Sequence, residues 1–226
     1  MLLRRFASAR PASARLGAAV LIAWLFGAPA LAATLRQPPE QAANPRGGIH
    51  TITKDVGKIA ALLKGAGWVS PHLKGKALYM VSFRSCSDCV RFETEQFPDL
   101  HKAHIDTRVI VVARRAKSTA PERTAVGELW ATRSWKTFET WTSMPVDAWT
   151  GEGLKSGDTD PARAALVEKS RVLVEQLQPL LAENGIELAY PTLIWRNAEG
   201  QLRGCACEGP ETYKYVRSEL GLPAAG

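Results

Sequence analysis

Cysteine is scarce in this chain, at four in 226 residues. That is too few for a scaffold built from disulfides, so the protein must bury an apolar core of its own. Long apolar runs are equally rare. The strongest, Leu16 to Phe26, is broken only by Gly17 and is about half the roughly 20 residues that cross a bilayer. No second such run follows, which leaves a soluble chain once the first is removed. Acidic residues are missing from positions 1–32, which hold Arg4, Arg5, Arg10 and Arg15. A basic start, a short apolar stretch and Ala28-Pro29-Ala30-Leu31-Ala32 form a secretory signal at 1–32, with cleavage expected after Ala32. An uncleaved N-terminal anchor is the alternative. Without those four arginines the formal charge falls from +7 to +3 over 194 residues. No clustered basic surface remains to release counterions, and a nucleic-acid partner is excluded on that ground. At 46% apolar and 23% charged residues, the composition is that of one globular domain.

Residues 33–48 carry Pro38, Pro39, Pro45, Gly47 and Gly48 and read as a flexible leader, followed by a short helix within 51–65. Together 33–75 precede a domain at 76–222. There, Lys76 to Phe83 (KALYMVSF) reads as a buried strand, and Cys86 to Phe97 as a helix stopped by Pro98. Thr107 to Ala113 is a second strand of the kind buried on both faces. A helical block spans about 117–184. Thr119 and Glu122 form a capping box within it, and Asp160-Pro161 opens a long helix with Leu166, Leu173, Val174 and Leu177 on one stripe. Pro179 is expected to bend that helix and Asn184-Gly185 to cap it. Strands at Thr192–Trp195 and Gln201–Arg203, joined by a polar turn, precede a last helix from Pro210. This order gives an α/β fold: a small mixed sheet with helices on both faces.

The chemistry concentrates at Cys86-Ser87-Asp88-Cys89, between a buried strand and the helix it feeds. A thiol in the first helical turn lies among unpaired N–H groups at the positive end of the macrodipole, which stabilise a thiolate. The two-residue gap lets Cys89 reach back to Cys86 across one turn. The spacing also suits half of a zinc site or a structural disulfide. Cys205-x-Cys207 could complete a zinc site, though not with the usual knuckle spacing. A second signal is Pro191, placed directly before the buried strand Thr192–Trp195. It is a candidate cis-proline, with no N–H to offer the sheet or a neighbouring thiolate.

These pieces together resemble the thioredoxin-fold thiol–disulfide oxidoreductases. The resemblance rests on KALYMVSF, on the CSDC helix start and on GIELAYPTLIW-RNAEGQLRG, and covers about Lys76 to Leu220. The helical block with ELWATRSWKTFETW is similar to the insertion in the catalytic domains of the periplasmic disulfide isomerases DsbC and DsbG. The resemblance implies a thioredoxin-like fold with a helical insertion before the cis-proline strand. It implies Cys86 as nucleophile, Cys89 as resolving thiol, and Tyr190, Pro191 and Thr192 as the substrate-binding loop. No bound cofactor or metal is implied.

Three departures matter. Ser87-Asp88 is not the dipeptide of the well-known oxidases or isomerases. Asp88 opposes a thiolate at Cys86 while Arg84 favours it, so a thiol less acidic than a strong oxidant's is expected. Tyr190 is bulkier than the residue usually found before the cis-proline. Ala33 to Gly75, 43 residues, is too short for the isomerases' dimerisation domain.

Cys205 and Cys207 follow the terminal hairpin as a second cysteine pair, for which a disulfide, a soft metal such as Cu(I), or two surface thiols are open. His101 and His104 offer too few ligands for a metal site and read as a solvated loop. The tryptophans of the helical block read mainly as core, with an exposed docking cluster as the alternative. The sequence thus points to an exported, periplasmic oxidoreductase acting on protein thiols and disulfides, supplied by a membrane redox partner. Its rivals are a non-catalytic binding or assembly component of an envelope or conjugative apparatus and, more weakly, a metallochaperone.

Overall fold

The computed structural model describes residues 48–223. The signal segment and nearly all of the leader lie outside the described residues. In chain order the elements are β1 (His50–Thr51), α1 (Val56–Gly65), β2 (Ala77–Ser82), α2 (Ser87–Lys102), β3 (Asp106–Val111), α3 (Ala120–Thr132), α4 (Trp135–Ser143), α5 (Pro161–Ala182), β4 (Thr192–Arg196), β5 (Leu202–Ala206), a 3₁₀ turn at Pro210–Thr212, and α6 (Tyr213–Leu220).

The two apolar runs that read as buried strands form the parallel pair of the sheet, with β3 last in the strand order. β2 and β3 align from Ala77 opposite Asp106 to Ser82 opposite Val111. On the other side of β2 lies β4, antiparallel, then β5 and the short β1, giving the order β1-β5-β4-β2-β3. A β-α-β unit, a helical insertion (α3–α5), a β-hairpin and a covering helix make this a thioredoxin-like fold. β1 escapes sequence reading because two residues carry no periodicity. It is fixed by β5 and by the flanking Ile49 and Ile52, both buried in the core.

The helix after the cysteine motif does not stop at Pro98. α2 runs through it to Lys102. An interior proline costs about 3 kcal/mol, and the burial of a single large apolar side chain contributes about 1.5–3 kcal/mol. Phe97 and Leu100, on either side of Pro98, are both buried, so packing offsets the lost hydrogen bond. α5 likewise continues past Pro179, with Leu177 and Leu181 wholly buried. Its inner stripe is Val167, Ser170, Leu173, Leu177 and Leu181, leaving Leu166 and Val174 only partly buried.

The insertion packs as core. Thr119 and Glu122 close the capping box reciprocally, and Asp160 accepts the Arg163 N–H at 3.0 Å. Trp130 is buried and its Nε1 donates to the Val111 carbonyl at 2.8 Å, tying α3 to the sheet. Trp141 is buried as well, and Trp135 and Trp149 are partly buried against the core. The tryptophans therefore do not form an exposed docking cluster. At the far end of α5, Asn184 accepts the Thr53 and Lys54 N–H groups, both at 2.9 Å, and binds the chain ahead of α1. Gly185 follows at φ 76°, a left-handed turn that suits glycine. No helix among the described residues is long and apolar enough to cross a membrane.

Candidate functional site

β2 ends at Ser82, and Phe83-Arg84-Ser85 carry the chain over the end of the sheet to Cys86, the N-cap of α2. Its Sγ accepts the Cys89 N–H at 3.0 Å, so the first unpaired helical donors already point at this sulfur. Cys86 and Cys89 are joined as a disulfide, their Cα atoms 5.2 Å apart. Cys86 is 6% exposed and Cys89 1%, so both are buried and the first is the more accessible residue.

The start of β4 faces this pair. The Tyr190–Pro191 peptide bond is cis, and the Tyr190 carbonyl oxygen lies 3.4 Å from Cys86 Sγ. In the reduced protein a Cys86 thiol can donate there; in the disulfide form the two atoms are only in contact. Thr192 is fully buried and its hydroxyl donates to the Ala189 carbonyl, closing the loop on itself. Cys86, Cys89, Tyr190, Pro191 and Thr192 thus come together from segments about a hundred residues apart.

Two of the groups expected to tune the thiol, Asp88 and Arg84, have partners of their own. Ser87 is exposed, and Asp88 is paired with Arg91 at 3.3 Å, which offsets its charge near the sulfur. Arg84 is buried, but its Nη2 donates to the Thr142 and Met144 carbonyls at the C-terminal end of α4. Its guanidinium lies 5.9 Å from the Trp141 ring centre. It therefore anchors the insertion at the negative end of a helix. The cation at the rim of the site is Arg114, which sequence reading passed over. Arg114 donates to Ser85 Oγ at 2.8 Å and stacks 3.6 Å over Phe83, whose ring meets Tyr190 edge-on at 4.9 Å. Burial raises the Tyr190 phenol above its usual range, and the Arg114 charge works against that rise. The signal for Arg114 was the parallel pairing: Ser82 opposite Val111 puts residues after β3 beside those after β2.

Two further titratable groups, one half-buried and one buried, were also missed. Glu93 lies one helical turn beyond Cys89, in a small cleft with Arg84 and Trp141. Burial pushes its carboxyl up to about 7, while the Arg84 charge pulls it down. Tyr213 packs edge-on to Phe92 at 5.0 Å, and burial pushes its phenol up to about 12.

Cys205 lies within β5 rather than after the hairpin, because that strand extends to Ala206. Cys205 and Cys207 are joined as a disulfide and wholly buried, so they are neither surface thiols nor open metal ligands. His101 belongs to α2, with Nε2 2.7 Å from Thr107 Oγ1 and its ring against Phe97 and Trp135. Burial holds it below the usual histidine range, and it is not part of a solvated loop. Among the described residues no group of three or more His, Cys, Asp or Glu could hold a metal ion. A cavity of about 750 Å³ between α1 and α5 lies away from the cysteines, lined by Leu62, Trp130 and Leu173.

No family model matches this sequence, and no curated protein matches it. Solved structures similar to it include BcfH of Salmonella enterica Typhimurium, with 16% identity and a TM-score of 0.44 over 73% of this chain and 78% of that one. DsbA of Chlamydia trachomatis is similar at 16% identity and a TM-score of 0.32, over 58% of this chain and 80% of that one.

Proposed function

We propose that this protein is an exported, periplasmic thiol–disulfide oxidoreductase that exchanges disulfides with protein substrates through Cys86 and Cys89. The observation that carries the reading is Cys86 Sγ at the N-cap of α2, 3.4 Å from the carbonyl ahead of Pro191. The sulfur sits among helix-start N–H groups that favour its thiolate, beside a loop whose backbone can hold an extended peptide.

In the reducing direction, the Cys86 thiolate attacks one sulfur of a substrate disulfide. That bond breaks, and the other substrate sulfur leaves as a thiolate and takes up a proton. Cys89 then loses its proton and attacks Cys86 Sγ. The mixed disulfide breaks, the substrate leaves with two thiols, and the Cys86–Cys89 disulfide closes. Oxidation of a substrate dithiol is the same path reversed, and a membrane redox partner would reset the pair. Direction follows the potential of Cys86–Cys89 against its partners. The helical insertion supports a place beside the DsbC and DsbG catalytic domains, and no cofactor is needed for the cycle.

The test is the redox equilibrium of the purified protein in graded glutathione buffers, trapped by alkylation and read by peptide mass. Cys86–Cys89 should open and close reversibly above about −300 mV. Cys89→Ala should accumulate a mixed disulfide with a substrate that Cys86→Ala does not. A pair that stays closed throughout, or never closes, sinks the catalytic reading and leaves a thioredoxin-fold binding component.

A further inference from the structure

Cys205 and Cys207 have no part in the cycle above, yet they lie beside its loop. In the β4–β5 ladder Cys205 is opposite Leu193 and Ala206 opposite Thr192. One residue on, the Cys207 N–H donates to the Pro191 carbonyl at 2.9 Å. Of the two carbonyls of Tyr190-Pro191, the first touches Cys86 Sγ and the second is held by the Cys207 amide. Residues two apart on a strand share a face. Arg203, on the same face as Cys205, reaches Glu219 of α6, and α6 packs on α2 through Tyr213 and Phe92. The second disulfide thus lies in the layer that carries Cys86 and Cys89.

The outer side of β5 explains why a covalent link is useful there. β1 pairs only with Arg203 and Gly204, so from Cys205 onward the strand has β4 as its one neighbour in the sheet. A strand end held on a single side frays more readily than one held on both. Both sulfurs are wholly buried, whereas Cys86 is 6% exposed, so the second pair is shielded from the thiols that the first would meet.

We propose that the Cys205–Cys207 disulfide is a buried latch that holds the Tyr190-Pro191 loop in register over Cys86, and that substrate binding at that loop depends on it. The proposal rests on Cys86–Cys89 being an exchanging pair, and the cysteines of the latch are positioning residues.

The experiment uses the full chain, wild type and two double variants, Cys205→Ser/Cys207→Ser and Cys205→Val/Cys207→Val. The valine pair keeps an apolar filling in a buried site and removes only the covalent link. The readouts are the glutathione equilibrium of Cys86–Cys89 and the KM and kcat for reduction of a disulfide-linked peptide. The variants should keep kcat within about twofold while KM rises about tenfold, the size expected from losing one ordered backbone hydrogen bond at the binding loop. General loss of folded protein would lower kcat and leave KM in place. An unchanged KM in folded variants, or failure of both variants to fold, overturns the latch. A wild-type Cys86–Cys89 pair that never exchanges overturns the oxidoreductase reading instead, so the two failures are distinguishable.

Discussion

Glu93 gives the sharpest test of the electrostatics under the redox helix. Its side chain is half-buried one turn beyond Cys89, and desolvation raises its carboxyl from the ordinary 4.5 to about 7 despite the Arg84 charge. The folded protein therefore holds this proton more tightly than the unfolded chain does. Between those two values the folded state binds more protons, so stability falls as pH rises through the window. Above pH 7 the whole penalty of a buried carboxylate remains, about 3 kcal/mol. Glu93→Gln replaces the carboxyl with a neutral group of the same shape that does not titrate. Measured by urea unfolding with the disulfides intact, the variant should exceed wild type by about 3 kcal/mol at pH 8 and by about 1 kcal/mol or less at pH 5. A difference between variant and wild type that is the same at both pH values would refute the reasoning. It would show that Glu93 reaches water or a partner that neutralises it.

Two further outcomes follow from the packing. Arg203 and Glu219 are joined by two hydrogen bonds with both side chains largely buried, at 9% and 12% exposure. Arg203→Ala removes both of these hydrogen bonds from the Glu219 carboxylate and should lower unfolding stability by about 3 kcal/mol, with less than about 1 kcal/mol counting against a buried pair. Thr119→Ala removes the hydroxyl side of the α3 capping box and should cost about 1 kcal/mol in the same assay. No change there would mean that the Glu122 half of the box suffices.

The legible parts of the fold are those whose signal is local and strong. KALYMVSF and TRVIVVA are apolar runs of strand length, and they form the parallel pair of the sheet. Thr119 with Glu122 and Asp160 with Pro161 mark helix starts through hydrogen bonds to residues three positions on, so their geometry is complete within four residues. Pro98 was a misleading local sign, because the penalty it carries is local and the burial that outweighs it is not. β1 depends on a partner strand about 150 residues away in sequence, and the reach of β5 to Cys205 and Ala206 depends on its pairing with Leu193 and Thr192 of β4, which only the folded hairpin supplies.

At the site, spacing alone set Cys86 and Cys89 one turn apart at a helix start, and the lack of an N–H marked Pro191 as a residue that a sheet would place at its edge. Tertiary structure decided which cations and acids serve that site. Arg84 and Arg114 are both close in chain order to strand ends beside the cysteines. The parallel pairing of β2 with β3 brings Arg114 to the rim, and the end of α4 supplies the carbonyls that take the Arg84 hydrogen bonds. Glu93 and the Cys205–Cys207 pair acquired their character the same way, since burial is a property of what packs over a residue rather than of the residue itself. Sequence determined where the reactive sulfurs stand on their helix; the packing of distant segments determined the dielectric, the charges and the loop that surround them.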